Sequence, residues 1–114
     1  MRELDRAIRA DHGPPGLQER IFNYPHDKLI SSLSRFFAIK DEFEIDEVNK
    51  EIGIISFNFM AKNRPSEKAS CAIIKTPQGN HKVRLAIPSL SSATISVYFN
   101  QIGEKLKVDY GKED

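Results

Sequence analysis

The sequence predicts an α+β fold, in which one main amphipathic helix packs on a mostly antiparallel meander sheet of five or six strands. Two observations favour this class. Apolar residues recur at helical spacing over about residues 25–39, and short segments of alternating apolar and polar residues follow in succession. Because the connections between these segments are short, consecutive strands are expected to pair as hairpins, which makes them antiparallel.

The main helix is predicted to run from Pro25 to about Ile39. Proline suits a first helical position, because its missing N–H would have no partner there. Asp27 lies in the first turn, where a carboxylate complements the positive end of the helix dipole. Five apolar residues at three- and four-residue spacing form one stripe that we expect to face the core: Leu29, Ile30, Leu33, Phe36 and Phe37.

A hairpin is predicted directly after the helix. A turn centred on Lys50 places Phe43 opposite Phe57 and Ile45 opposite Ile55. Cross-strand pairs of aromatic and branched side chains help to set the register of a hairpin. We therefore expect all four side chains on the sheet face that the helix covers. A short strand over residues 21–24 is expected before the helix.

The next hairpin bears on catalysis, since it contains the single cysteine and one of the three histidines. Turn residues at 77–80 set Cys71 opposite Leu85 and Lys75 opposite His81. Cys71 is then expected to point into the core, several residues from His81. A buried thiol among apolar neighbours is unreactive, so a Cys–His nucleophile is not expected.

The last segment supports two predictions. Ile95, Val97 and Phe99 alternate with polar residues, which is typical of a strand, and a second strand is expected up to Tyr110. A four-residue spacing runs through the same segment and predicts a helix over residues 90–106 instead. The density of β-favouring residues favours the two strands, and the helix is the alternative.

Length and punctuation predict the domain organisation. A chain of 114 residues has the size of one domain, which we place at residues 20–111. Residues 1–19 are expected to be a flexible or loosely docked arm, because glycine and proline at 12–16 stop any helix. The alternative for this arm is a helix that binds a partner. Residues 112–114 are expected to be a C-terminal tail.

Localisation and cofactor use follow from what the sequence lacks. No apolar run approaches the roughly 18 residues of a membrane span, so no transmembrane segment is expected. No secretory signal is recognisable, which indicates a cytoplasmic protein, or a cell-envelope protein if an export signal has been removed. With one cysteine and three widely spaced histidines, no cofactor and no metal site are expected.

Motifs of known chemistry are also missing, so we expect no catalytic residues and no enzymatic activity. No phosphate-binding loop, nucleophile elbow or zinc-protease motif occurs. Glu42, Glu44 and Asp46 share one face of a predicted strand, at a spacing of about 7 Å. Because cation sites usually take their ligands from a wrapping loop, we interpret these carboxylates as a solvated surface.

The charge distribution provides one functional alternative. Residues 61–85 contain six basic residues against one acidic residue, although the net charge of the whole chain is only +1. Such a segment is typical of a surface that binds nucleic acid or another anion. Nucleic acid is not favoured, because exposed aromatic residues are not interleaved with the basic ones. The anion-binding candidates in segment 62–84 are Lys62, Arg64, Lys68, Lys82 and Arg84.

Residues 22–55 carry a weak resemblance. The order Phe22-x-Tyr24-Pro25-x-Asp27-Lys28-Leu29, an amphipathic helix, Phe43-x-Ile45 and Gly53-Ile54-Ile55 resembles helix-then-hairpin domains of small bacterial cell-envelope and lipoprotein proteins. The resemblance covers about a third of the chain and carries no site residues. It implies a bacterial, non-enzymatic protein that serves in assembly or partner binding.

The sequence thus predicts a non-enzymatic protein-interaction or assembly module, with a protein partner or a homo-oligomer. Arg84, Tyr98 and Lys107 are the candidate partner-binding residues, because tyrosine and arginine are favoured at interfaces. Anion binding is the first alternative. The second is a carrier that holds a small apolar ligand between helix and sheet, near four phenylalanines: Phe36, Phe37, Phe57 and Phe59.

Overall fold

The computed structural model describes residues 16–111, and this part of the chain contains five strands and two helices. The predicted α+β class is confirmed. In chain order the elements are β1 (Leu17–Phe22), α1 (His26–Ile39), β2 (Phe43–Asn49), β3 (Ile54–Phe59), β4 (Glu67–Lys75), β5 (His81–Ala86) and α2 (Ser92–Tyr110).

The five strands form one sheet in the order β1-β5-β4-β3-β2, and every neighbouring pair is antiparallel. Strands β2 to β5 follow one another as hairpins, which confirms the predicted meander. Strand β1 pairs with β5 at the other edge, so α1 crosses from one edge of the sheet to the other before β2 begins.

Helix α1 has the predicted position. Pro25 precedes its first residue, Asp27 lies in the first turn, and the predicted stripe is buried. The side chains of Leu29, Leu33 and Phe37 are completely inaccessible to solvent. Because this stripe has helical spacing only, nothing in the local sequence competes with the helix.

The two strands predicted within residues 94–110 are wrong, because this segment is the helix α2. It has 19 residues against 14 in α1 and is the longer helix of the fold. The Ser91 hydroxyl accepts a hydrogen bond from the Thr94 N–H at 3.2 Å, which caps the first turn. Gly111, with φ 85°, ends the helix and donates its N–H to Lys107 O at 2.8 Å. Four residues at helical spacing are buried: Ile95, Phe99, Ile102 and Leu106.

Two hairpin registers were predicted, and one is confirmed. Cys71 pairs with Leu85 in the β4–β5 hairpin, as expected. In the β2–β3 hairpin, Phe43 pairs with Phe59 and not with Phe57, so the predicted register is wrong by two residues. The turn is centred further along the chain, where Gly53 takes φ 75°, and a bulge follows Ile45.

Strand β1 begins earlier than the predicted strand over residues 21–24 and ends at Phe22. Tyr24 instead leads into α1, where its hydroxyl donates a hydrogen bond to Gly111 O at 2.8 Å. Residues 17–19 of the predicted N-terminal arm belong to β1. Gly16 of that arm is buried and its carbonyl accepts a hydrogen bond from the Ile87 N–H at 2.8 Å. The rest of the arm and the predicted tail, residues 1–15 and 112–114, lie outside the described residues.

Both helices cover the same face of the sheet. The ring centroids of Phe37 in α1 and Phe57 in β3 are 4.5 Å apart, and those of Phe99 in α2 and Phe22 in β1 are 6.2 Å apart. The opposite face alternates with this one along every strand, and its side chains are half-buried or exposed. We call this second face the open sheet face.

Candidate functional site

The two helices lie side by side and antiparallel on the sheet. The start of α1 meets the end of α2, where Tyr24 and Tyr110 have ring centroids 6.4 Å apart. The end of α1 meets the start of α2, where Phe36 and Tyr98 are also 6.4 Å apart. On the outer side of this pair, a groove of about 600 Å³ runs between the helices. We call it the inter-helix groove.

Apolar side chains that the fold does not need line this groove. Ile39 of α1 is 73% exposed, and Val97 and Val108 of α2 are 53% and 83% exposed. Only seven large apolar side chains in residues 16–111 are exposed, and these three meet in one place. Clustered exposed apolar side chains mark binding surfaces, whereas scattered ones need no explanation.

One end of the groove is held by a network around Asp109. Its carboxylate accepts a hydrogen bond from the Ser32 hydroxyl at 2.5 Å. It also pairs with Lys105 Nζ at 3.2 Å and with Arg35 Nη2 at 3.1 Å. The Ser32 hydrogen bond, helped by Lys105 and Arg35, lowers the pKa of Asp109 to about 2. Since Ser32 and Arg35 belong to α1, the network fixes the spacing of the two helices.

The other end is held by Tyr98, whose hydroxyl donates a hydrogen bond to Glu42 Oε2 at 2.8 Å. Burial raises the pKa of Tyr98, and the neighbouring Glu42 carboxylate raises it further. Lys40 Nζ lies 5.0 Å from the centre of the Phe36 ring, within the range of a cation–π contact. Together with the Phe36–Tyr98 ring contact, these interactions link α2 to α1 and to the residue before β2 at this end of the groove.

The three partner-binding residues predicted from the sequence do not form one surface. Tyr98 borders the groove region, but its hydroxyl is already bound to Glu42. Lys107 lies on the side of α2 that faces β1, beside Arg20 and Gly103. Arg84 lies on the open sheet face, where its Nε is 2.7 Å from Glu19 Oε2. The sheet thus separates Arg84 from the other two.

The predicted anion-binding residues are also divided. Lys82 and Arg84 share one carboxylate, that of Glu19, and Arg84 lowers the pKa of that carboxylate. Lys68 lies six residues from the β4 partner of Lys82, or about 20 Å along the strand. Lys62 and Arg64 belong to the loop between β3 and β4. These positions do not make one basic patch, and anion binding stays a prediction.

The cysteine and the histidines considered as catalytic or metal-binding groups can now be placed in the fold. Cys71 is 1% exposed, and burial raises its pKa to about 12, so the thiolate is strongly disfavoured. The ring centroids of His26 and His81 are 6.2 Å apart. Within residues 16–111, no three His, Cys, Asp or Glu side chains lie close enough to hold a metal ion. No helix in the described part of the chain has the length and apolar character needed to cross a membrane.

The apolar-ligand alternative concerned four phenylalanines between helix and sheet. All four are at most 5% exposed. Phe37 and Phe57 are in ring contact at 4.5 Å, and Phe43 contacts both of them at 4.9 and 5.1 Å. These rings occupy the space between helix and sheet in which a carried ligand would have to lie.

Comparison with known proteins adds no family to these observations. No protein-family model matches the chain, and a search of curated proteins returns no match. Sequence reasoning missed Ile39, Val97 and Val108. The helical alternative for residues 90–106 would have found Val97. Val108 lies beyond its end and is found only because α2 continues to Tyr110, which places residues 97 and 108 three turns apart on one side of the helix.

Proposed function

We propose that this protein is a non-enzymatic protein-interaction module whose inter-helix groove binds an amphipathic helix of a partner protein. The observation that carries the proposal is the convergence of Ile39, Val97 and Val108, all more than half exposed, on one groove. Binding a partner would remove these apolar side chains from water, which favours binding by about 25 cal/mol per Å² of apolar surface buried.

The shape of the groove favours a helix as its occupant. Two antiparallel helices present parallel ridges, and a third helix packs between them with its own ridge in the groove. Val97 and Val108 are about 16 Å apart along α2 at a rise of about 1.5 Å per residue, which matches about three turns of a partner helix. We expect apolar partner residues at three- and four-residue spacing, as in other helix-in-groove complexes.

The rims of the groove suggest the direction of the partner's charge. At one end Lys105 and Arg35 both pair with Asp109, and the carboxylate of Glu104 also lines the groove, so that end is close to neutral. Lys40 lies at the other end and contacts the rings of Phe36 and Tyr98. An acidic side chain of the partner beside Lys40 would complement this cation. The preferred partner segment is therefore apolar on one face and acidic at one end.

The test is quantitative affinity capture from the source cells with the full chain as bait, followed by mass spectrometry. In Val108→Glu the new carboxylate would have to be buried against the partner, so recovery of a true partner should fall at least about tenfold. Ile52→Glu is the matched control. Ile52 is 60% exposed in the turn between β2 and β3, and it takes no part in the groove.

A protein that is lost with Val108→Glu and retained with Ile52→Glu supports the proposal. Capture of a protein by all three baits does not, since such binding is independent of the groove. The proposal is wrong if no recovered protein distinguishes Val108→Glu from Ile52→Glu while both variants remain folded by circular dichroism.

A further inference from the structure

The open sheet face has small side chains at its centre. Ser56, Ser70 and Ala72 are half-buried neighbours on β3 and β4, and Ala86 continues the row on β5. Ile54, 37% exposed, lies directly opposite Ala72. Small side chains leave the middle of this face low, with a depression of about 330 Å³ beside Ser56, Ser70 and Ala86, so another surface can approach the backbone closely.

Charge is distributed unequally between two diagonal corners of this face. At the first corner, Lys82 and Arg84 of β5 share the single carboxylate of Glu19, which leaves an excess of positive charge. The diagonal corner, on β2, contains three exposed carboxylates, those of Glu44, Asp46 and Glu47.

The acidic corner is not neutralised within the described chain. None of its three carboxylates has an ion-pair partner among residues 16–111. The nearest basic residue by register is Lys68 of β4, whose cross-strand partner Asn58 pairs in turn with Glu44. It lies two strands inward, about 10 Å away at the usual strand spacing. Three carboxylates against one ammonium group leave this corner acidic.

We propose that the open sheet face binds the same face of a second copy of this chain, in a two-fold symmetric dimer. A two-fold axis along the neutral diagonal places the basic corner of each copy over the acidic corner of the other. The strands of the two sheets then cross at nearly a right angle, which is one of the two usual ways in which sheets pack. Such an interface is self-complementary, as a two-fold interface must be.

The size of the face indicates how strong this dimer is. Five strands about 4.8 Å apart and six residues of about 3.3 Å each give a footprint of about 400 Å² per copy. Stable interfaces bury about 800 Å² per partner, so this one belongs to the weak, reversible class. We therefore expect dissociation in the micromolar range and not an obligate dimer.

Sedimentation velocity of the full chain, from about 1 µM to about 1 mM, tests the proposal over the range in which an interface of this size dissociates. The wild type should shift from monomer to dimer. Ala72→Arg puts a long charged side chain at the centre of the open sheet face and should weaken the dimer at least about hundredfold. Because Ala72 points away from the core, the circular dichroism spectrum of this variant should match that of the wild type.

Charge reversal distinguishes this interface from others. Arg84→Glu and Glu47→Lys should each weaken the dimer about tenfold, and the double variant should recover most of the wild-type affinity. Within one copy these positions are three strands apart, or about 14 Å, so direct pairing inside the chain does not explain a rescue. Lys107→Glu, on the side of α2 that faces β1, changes the net charge as Arg84→Glu does and should have no effect.

Three outcomes would overturn the proposal. A chain that stays monomeric up to about 1 mM lacks the interface. A dimer that survives Ala72→Arg uses another surface. A dimer lost in Val108→Glu but kept in Ala72→Arg would overturn this proposal and leave the inter-helix groove as the contact between copies.

Discussion

The two faces of the sheet use the same strands for different purposes. On β3, Phe57 points toward the helices and is 1% exposed, whereas Ile54 points to the open sheet face and is 37% exposed. Side chains alternate between faces along a strand, so each strand supplies residues to both. The fold therefore depends on the helix-covered face and leaves the open sheet face free to make contacts.

The helix-covered face is held by aromatic rings. The ring centroids of three phenylalanines, Phe37, Phe43 and Phe57, are 4.5–5.1 Å from one another. The rings are tilted or edge-to-face, which are arrangements that aromatic pairs favour. The open sheet face has serine and alanine at the corresponding central positions. Contacts with partners are thus expected at two places that stability does not require, the outer side of the helices and the open sheet face.

The largest loss of stability is expected from a substitution on the helix-covered face. Phe57→Ala removes a fully buried ring from the aromatic cluster and should lower the free energy of unfolding by about 3–5 kcal/mol. Ile54→Ala on the same strand should cost less than about 1.5 kcal/mol, because a partly exposed side chain loses little burial. Urea denaturation at a concentration where the chain is monomeric measures both.

Equal losses for Phe57→Ala and Ile54→Ala would contradict the division of the sheet into a structural face and a free face. That result would mean that the open sheet face is covered in the folded monomer. The circular dichroism of the folded variants serves as the control, since it should match the wild type for both.

The fold could be predicted from the sequence where one periodicity stood alone. The stripe of α1 is helical only, and the β4–β5 register followed from a clear turn at residues 77–80. The segment of α2 satisfies two patterns, because Ile95, Val97 and Phe99 alternate while its buried residues also recur at helical spacing. Capping decides between them, and Ser91 and Gly111 are the local signals that favour the helix.

The inter-helix groove could not be predicted, because it exists only if the segment of α2 is a helix. If residues 95–99 form a strand, Val97 shares a face with Ile95 and Phe99 and is assigned to the core. In a helix, two residues correspond to about 200° of rotation, so Val97 points away from Ile95 and becomes exposed. Ile39 then meets Val97 only through tertiary packing, which no local pattern records.

A smaller effect concerns the network that links the two helices. The pKa of Asp109 is about 2, below its ordinary value of 3.8, so its ionised form stabilises the folded state. This contribution is fully present above about pH 4 and is lost as the pH falls toward 2. The difference in stability between wild type and Asp109→Asn should therefore shrink over that interval.

Urea denaturation of both proteins between pH 2 and pH 6 measures this difference. Lys107→Gln on the same helix is a control, because it adds no group that titrates in this range and Lys107 takes no part in the Asp109 network. A difference that stays constant across the whole pH range would show that Asp109 does not hold α1 and α2 together through its charge.

Cross-linking from the inter-helix groove shows directly whether a partner helix binds there. A photo-reactive residue placed at Val97, with one at Ile52 for comparison, is activated in cells, and the cross-linked partner residues are mapped by mass spectrometry. If a partner helix lies in the groove, position 97 should form adducts with partner residues at three- and four-residue spacing, which is the spacing along one face of a helix. Adducts from position 52 alone, or adducts from position 97 without that spacing, would contradict it.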